Sequence, residues 1–117
     1  FYVNWFRKDD DGGFVWPGFG ENARVLEWVF ERCAGRADAI DTPIGRLPTL
    51  DGINFTNLNL SDDAISTLLK VDVEGWLAEI PLIEAYYQSF GEKVPGALWE
   101  QLQDLKQRLL ASGEQVA

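Results

Sequence analysis

Histidine and methionine are both absent from this chain of 117 residues, and cysteine occurs once, as Cys33. A single cysteine cannot form an internal disulfide, and without a histidine nearby it lacks the usual general base for nucleophilic catalysis. Because Cys33 falls on the apolar face of a predicted helix, we expect it to be buried and inert. A translated protein begins with Met, whereas this chain begins at Phe1, so we expect it to be a C-terminal segment of a longer protein.

Basic residues are also few: ten Lys and Arg stand against nineteen Asp and Glu, a net charge of −9. This balance argues against a nucleic-acid partner, because neutralising phosphates requires clustered Lys and Arg. No apolar run approaches the length that spans a bilayer, so no membrane partner is expected either. The apolar content of 46% and the five Trp are enough for the core of one compact domain.

Aromatic side chains are abundant near the N-terminus. Residues 1–6 alternate aromatic, β-branched and polar side chains, residues 14–16 are a second apolar run, and the polar residues between them end in Gly-Gly. This pattern predicts an N-terminal β-hairpin with a long loop. A symmetric loop would set Phe6 opposite Phe14 and Trp5 opposite Val15, with the two Phe on one face.

Two ligand-binding patterns are considered and rejected in this region. The acidic run at residues 9–11 lacks the alternating ligands and distal Glu of a calcium loop, so it is interpreted as a solvated turn and no metal ligand is assigned. Gly18, Gly20 and Ala23 fit the dinucleotide-binding spacing G-x-G-x-x-A. However, Pro17 ends a hairpin arm rather than a buried parallel strand, the segment after the first helix is Pro-rich and poorly suited to a parallel strand, and this spacing often matches by chance. Separately, the phosphate-binding pattern G-x-x-x-x-G-K-[ST] is absent.

The remainder of the chain predicts helices. The first covers residues 22–34, with Asn22 as its N-cap or, equally compatible with the sequence, as a side chain pointing into a ligand site. A connector at residues 36–60 is expected to pack along the body without strands of its own. Further helices are expected after Ser61, Asp72 and Pro95, and the last frays from residue 112. The predicted class is α+β, an N-terminal β-hairpin followed by about four α-helices.

Phe6, Phe14 and Phe19 can converge near the start of the first helix and form a flat aromatic slot. Stacking on such rings stabilises a bound nucleobase by about 1–3 kcal/mol per base. The Asn22 amide offers both a donor and an acceptor to a base edge, so its orientation has to be fixed by neighbours before it can select one base.

Two alternatives remain open at this point. Trp5 and Trp16 beside Pro17 could line a groove for a Pro-rich peptide, which would make the chain a non-enzymatic interaction domain. The aromatic residues could also form only the core of a structural helical domain.

Several segments of the sequence carry a family resemblance. They are VNWFRK at residues 3–8, FVWPGFGEN at 14–22, RVLEW at 24–28, and TPIG followed by LP at 42–48. With them the chain strongly resembles GTP-dependent phosphoenolpyruvate carboxykinase. The resemblance covers nearly the whole chain and weakens after about residue 60.

The resemblance implies the properties of a parent enzyme. That enzyme is a carboxy-lyase of gluconeogenesis that converts oxaloacetate and GTP to phosphoenolpyruvate, GDP and carbon dioxide with a divalent metal, manganese or magnesium. It is a cytoplasmic monomer, and this chain would belong to its larger α/β nucleotide-binding C-terminal lobe. Residues 1–22 would be the guanine-binding hairpin and turn, and residues 23–117 a mainly helical part of the same segment.

The resemblance also implies roles for individual residues. Phe6, Phe14 and Phe19 would enclose the guanine ring, Asn22 would contact its edge, and Phe19, Gly20, Glu21 and Asn22 would form the base-binding turn. The phosphate loop, the metal ligands and the oxaloacetate-binding Arg residues are expected upstream of this segment. The segment would therefore contain no catalytic and no metal-binding residue, and is expected to be inactive alone.

Overall fold

The computed structural model describes residues 1–114, and the chain divides into two compact units. Unit 1 comprises residues 1–41 and 46–70, and unit 2 comprises residues 42–45 and the chain from Val71 onward. The elements, in order, are α1 (Asn22–Cys33), β1 (Ala39–Thr42), β2 (Gly45–Pro48), α2 (Asp62–Leu69), α3 (Val73–Gln88) and α4 (Gly96–Glu114), with single-turn 3-10 helices at Phe19–Glu21 and Gly91–Lys93. The predicted α+β class is confirmed.

The hairpin expected at the N-terminus is reduced to one antiparallel bridge between Lys8 and Phe14. Next to it, the backbone N–H of Val15 donates to the carbonyl of Arg7 at 2.9 Å. The prediction of regular strands at residues 1–6 and 14–16 is therefore wrong.

A side chain interrupts the first arm of the expected hairpin. The backbone N–H of Phe6 donates to Asn4 Oδ1 at 3.0 Å, which uses a donor that a strand ladder would need. The bridge also sets Lys8, not Phe6, opposite Phe14, a shift of two residues from the predicted register. Because side chains alternate faces with a period of two, this shift leaves Phe6 and Phe14 on the same face.

The acidic run between the two arms forms a turn that is closed by one of its own carboxylates. Asp9 Oδ1 accepts from the backbone N–H groups of Asp11 at 3.0 Å and Gly13 at 2.8 Å. The N–H of Asp9 donates in turn to the carbonyl of Gly13 at 2.9 Å. The Asp9 side chain thus stabilises the loop geometry.

The buried face of α1 is centred on Trp28, whose side chain is buried, and the ring of Phe1 meets it edge-on at 6.0 Å. The sequence predicts an apolar face of Val25, Val29 and Cys33, with Leu26 and Phe30, and of these only the two valines are partly buried. Cys33, the last residue of α1, is exposed, so the expectation that it is buried is wrong. Helical periodicity identifies an apolar stripe, but which part of the stripe is covered depends on packing partners that lie elsewhere in the chain.

The connector contains a short two-stranded sheet of β1 and β2, which the sequence does not predict. The two strands are joined by Pro43 and Ile44, and Thr42 Oγ1 donates to the carbonyl of Gly45 at 2.6 Å across this tight connection. Each strand has only four residues and includes residues of low β-propensity, so the sequence lacks the alternating apolar pattern that would predict a strand. Ile53 is buried, which agrees with the expected packing of the connector.

Two predicted helix starts are confirmed by their caps. Ser61 Oγ accepts from the N–H of Ala64 at 3.1 Å at the start of α2. Asp72 Oδ1 accepts from the N–H of Gly75 at 3.0 Å at the start of α3. Helix α4 continues through Ser112 to its last residue, so the predicted fraying is wrong for residues 112–114, and the rest of that prediction lies outside the described residues.

The core of unit 2 lies between α3 and α4. Ile80 of α3 and Leu102 and Leu109 of α4 are buried together. Partly buried apolar residues surround them: Ile44, Val73, Trp76, Leu77, Ile83, Tyr87, Trp99 and Leu105. Within residues 1–114, no helix is both long and apolar enough to cross a membrane.

Candidate functional site

The backbone between Trp16 and α1 turns sharply at Gly18, which has φ 122° and ψ −176°. This combination is essentially restricted to glycine because a Cβ would clash with the backbone. The 3-10 helix Phe19–Glu21 follows directly, with the N–H of Glu21 donating to the Gly18 carbonyl at 3.0 Å. The Phe19 side chain at the apex is 92% exposed. Gly18 therefore makes it possible for a large apolar ring to point away from the body of unit 1.

Replacing Gly18 by Ala should lower the free energy of unfolding by about 1–3 kcal/mol, because alanine is strained at this φ and ψ. The matched control is Gly20→Ala, since a Cβ at either position meets no atom within 4 Å beyond its adjoining residues, and Gly20 is not among the positive-φ glycines. Urea unfolding of the two variants separates backbone strain from crowding. Equal loss of stability in both variants would contradict the assigned role of Gly18.

Phe6 and Phe14 are brought together by the bridge. Their ring centroids are 6.1 Å apart with an interplanar angle of 65°, and the side chains are 70% and 62% exposed. Lys8 Nζ lies 5.5 Å from the centroid of the Phe14 ring, within the range of a cation–π contact. Phe19 has none of the aromatic contacts found within residues 1–114. Of the three rings expected to enclose a base, Phe6 and Phe14 are therefore in contact, whereas Phe19 lies apart from them.

The exposed ring of Phe14 is followed in the sequence by two buried side chains. Val15 and Trp16 are buried, and the Trp16 ring lies 5.9 Å from that of Trp5. The sequence alone allows that Phe6 and Phe14 are simply core residues, but here the core role belongs to the residues next to them.

Asn22 is the first residue of α1 and is not its N-cap, so that prediction is wrong. Its Oδ1 accepts a hydrogen bond from Trp16 Nε1–H at 2.8 Å instead. The contact joins the buried ring at the foot of the turn to the polar side chain at the start of the helix. Sequence reasoning missed Trp16 as a partner of Asn22, although the two residues are only six positions apart.

The Glu21 side chain forms an ion pair with Arg24 at the start of α1. Its Oε2 accepts from Arg24 Nε at 2.6 Å, and Arg24 Nη1 also donates to the carbonyl of Asn54 at 2.7 Å. The Arg24 side chain is only 21% exposed, although its position on the first helix suggests solvated surface from the sequence alone. Through Arg24, the carboxylate of Glu21 thus links the turn to the connector.

Arg7, which follows Phe6, is held by hydrogen bonds to the end of α2. Its Nη1 donates to the carbonyls of Leu68 at 3.4 Å and Lys70 at 2.6 Å, at the C-terminal end of α2. Cations near the end of a helix satisfy carbonyls that have no partner within the helix. The arm that carries Phe6 is therefore fixed to a helix more than sixty residues away along the chain.

A separate concavity of about 510 Å³ lies beside Trp28 and contains none of the predicted site residues. Its lining includes the carboxylates of Glu27, Glu31 and Asp51. Such an acidic lining would repel nucleotide phosphates. We therefore assign the candidate site to Phe6 and Phe14 together with residues 16–22, which we call the aromatic turn, and not to this concavity.

Comparison with known proteins places these features in a family. A family model described as phosphoenolpyruvate carboxykinase C-terminal P-loop domain matches residues 1–108. This chain belongs to the GTP-type phosphoenolpyruvate carboxykinase family. The match includes every residue of the aromatic turn, and the resemblance predicted from the sequence is confirmed.

Curated carboxykinases agree with this assignment. Phosphoenolpyruvate carboxykinase [GTP] of Chlamydia muridarum is 52% identical over 110 residues, and that of Renibacterium salmoninarum is 48% identical over 109. Each alignment covers 93% of this chain and 18% of the relative. The carboxykinase of Treponema pallidum (strain Nichols) is 46% identical over 113 residues, which is 96% of this chain and 18% of the relative. The chain thus spans 18% of the length of these carboxykinases.

Proposed function

We propose that the chain is the C-terminal portion of a cytoplasmic, monomeric GTP-dependent phosphoenolpyruvate carboxykinase and supplies one wall of its guanine pocket. The intact enzyme would convert oxaloacetate and GTP to phosphoenolpyruvate, GDP and carbon dioxide. Residues 1–22 would hold the base, and the mainly helical remainder would support them. The alternative of a peptide-binding interaction domain has no support among the relatives, which are carboxykinases by name.

The observation that carries the proposal is the exposure of three phenylalanines, two paired at the bridge and one at the apex of the turn. Phe6, Phe14 and Phe19 are among the most exposed large apolar side chains of unit 1. Large apolar rings in water are unfavourable, and burying them against a flat base recovers this free energy. A purine offers two faces of the size that these rings can cover.

In this assignment the chain would bind and orient the guanine base but would supply no catalytic residue. Phe6, Phe14 and Phe19 would stack on guanine, the backbone of Gly20 and Glu21 would complete the turn, and Asn22 would contact the base edge. Decarboxylation of oxaloacetate and transfer of the γ-phosphoryl group to the resulting enolate oxygen would take place on residues outside this segment. Holding the base correctly would orient the attached triphosphate for that transfer.

The manganese or magnesium ion that the resemblance implies does not fit the residues described. Within residues 1–114, no three His, Cys, Asp or Glu side chains are grouped as a metal site requires. We propose that the metal ligands lie outside this segment.

The proposal predicts the effect of removing one ring. In the intact carboxykinase, Phe19→Ala should raise the dissociation constant of GDP by roughly 5- to 150-fold, which corresponds to the loss of about 1–3 kcal/mol of stacking. Because in this proposal the ring would contact the base equally before and during phosphoryl transfer, the KM for GTP should rise while kcat changes little. Isothermal titration and steady-state kinetics measure the two effects.

Phe30→Ala is the matched control, because Phe30 is an exposed phenylalanine of the same unit that lies outside the turn. It should leave GDP binding unchanged. Equal affinities of the unsubstituted enzyme for GDP and ADP would refute the guanine pocket, and tight binding of a Pro-rich peptide would favour the interaction domain.

A further inference from the structure

We infer that Trp16 is a specificity-determining positioning residue, which selects guanine over adenine by fixing the orientation of the Asn22 amide. The inference rests on the proposed function, since it concerns the same base pocket. It assigns a role to a buried residue that would not itself touch the nucleotide.

The first step concerns the amide. An asparagine side chain ends in an acceptor oxygen and a donor nitrogen of nearly equal size, so without a constraint it can present either one. The indole N–H is a donor only. Its contact with Asn22 Oδ1 at 2.8 Å therefore admits one orientation, because a flipped amide would set N–H against N–H.

The second step concerns what remains available on the amide. With Oδ1 bonded to Trp16, the side chain presents Nδ2, which has no hydrogen-bond partner within residues 1–114. Asn22 is half-buried, so solvent or a ligand can reach this group. The site therefore offers a hydrogen-bond donor to whatever base edge arrives.

The third step matches this donor to a base. Guanine carries the acceptor O6 at the position where adenine carries the donor N6–H₂. A fixed amide donor can thus hydrogen-bond to guanine O6, whereas with adenine it would face the N6–H₂ group, which is also a donor. Discrimination of this kind is strong, because the wrong base leaves two donors facing each other without partners.

The fourth step concerns the rigidity of the donor. Trp16 is 6% exposed and packs against the ring of Trp5, so its indole is held by the core of unit 1. Asn22 is held by the first turn of α1. Both ends of the hydrogen bond are therefore fixed before a nucleotide binds, which reduces the entropy lost on binding.

The test is Trp16→Phe in the intact carboxykinase, which removes the N–H group while retaining an aromatic ring. We expect GDP affinity to fall about three- to tenfold and ADP affinity to stay equal or rise, so that the GDP-to-ADP affinity ratio falls by at least about three- to tenfold. The third ligand is 2-aminopurine riboside diphosphate, which lacks O6, and its affinity should not change between the two proteins. Isothermal titration measures all three affinities.

Trp5→Phe is the matched control, because Trp5 packs against Trp16 but does not donate to Asn22. It should keep the GDP-to-ADP ratio of the unsubstituted enzyme. If Trp16 had only a structural role, Trp16→Phe would lower the affinities for all three ligands by the same factor. That result would overturn the inference. If the unsubstituted enzyme showed no preference for GDP, the guanine pocket itself would fail, which is a distinguishable outcome.

Discussion

Asn22→Asp is expected to weaken GDP binding to the intact carboxykinase by roughly 30- to 150-fold, a loss of about 2–3 kcal/mol. The carboxylate can still accept the Trp16 N–H through one oxygen, so the turn should stay folded. Its second oxygen, however, replaces the donor Nδ2 with an acceptor, which repels guanine O6 and suits adenine N6–H₂. ADP should therefore bind at least as well as before, and competitive titration with both nucleotides measures the change in preference.

The added negative charge needs its own control, because the bound phosphates are anionic. Asn59→Asp introduces the same charge at an exposed position of unit 1 outside the turn. It should reduce the affinities for GDP and ADP by the same small factor. If Asn22→Asp behaved in that way, the amide would have no role in base selection.

Leu109→Ala should destabilise unit 2 by about 2–5 kcal/mol, the usual range for truncating a buried leucine. Leu109 is 0% exposed and packs with Ile80 and Leu102 between α3 and α4. The substitution removes apolar contacts and leaves a cavity that the surrounding helices can fill only in part. Chemical unfolding measures the loss, and a lowered Tm should accompany it.

Leu110→Ala provides the comparison for this core substitution. Leu110 is the next residue of α4 and its side chain is exposed. Both substitutions remove the same atoms from the same helix, so helix propensity cancels between them. We expect a loss below about 0.5 kcal/mol for Leu110→Ala. Similar losses for the two variants would contradict the packing described for unit 2.

The features predicted best from the sequence are those determined by a few neighbouring residues. The Ser61 and Asp72 caps were predictable because a short polar side chain before an apolar repeat satisfies N–H groups within its own turn. The aromatic turn was likewise recognisable from its residues alone, since the unusual run from Trp16 to Asn22 is compact in sequence.

The features missed are those that depend on distant partners. Asn22 has the residue type of an N-cap, but the buried Trp16 indole offers its oxygen a competing donor. Arg24 looks like helix surface until the connector brings the Asn54 carbonyl next to it. Similarly, the apolar stripe of α1 does not reveal that Trp28, and not Cys33, is the buried residue.

The Arg7 contacts have a consequence for synthesis on the ribosome. The carbonyls that Arg7 binds belong to residues 61 and 63 positions further along the chain. At a translation rate of about 5–20 residues per second, the arm bearing Phe6 must wait roughly 3–13 s for them. Until then the arm lacks these contacts at the end of α2 and its exposed rings are open to non-native contacts, so the pocket wall is completed only after α2 has left the exit tunnel.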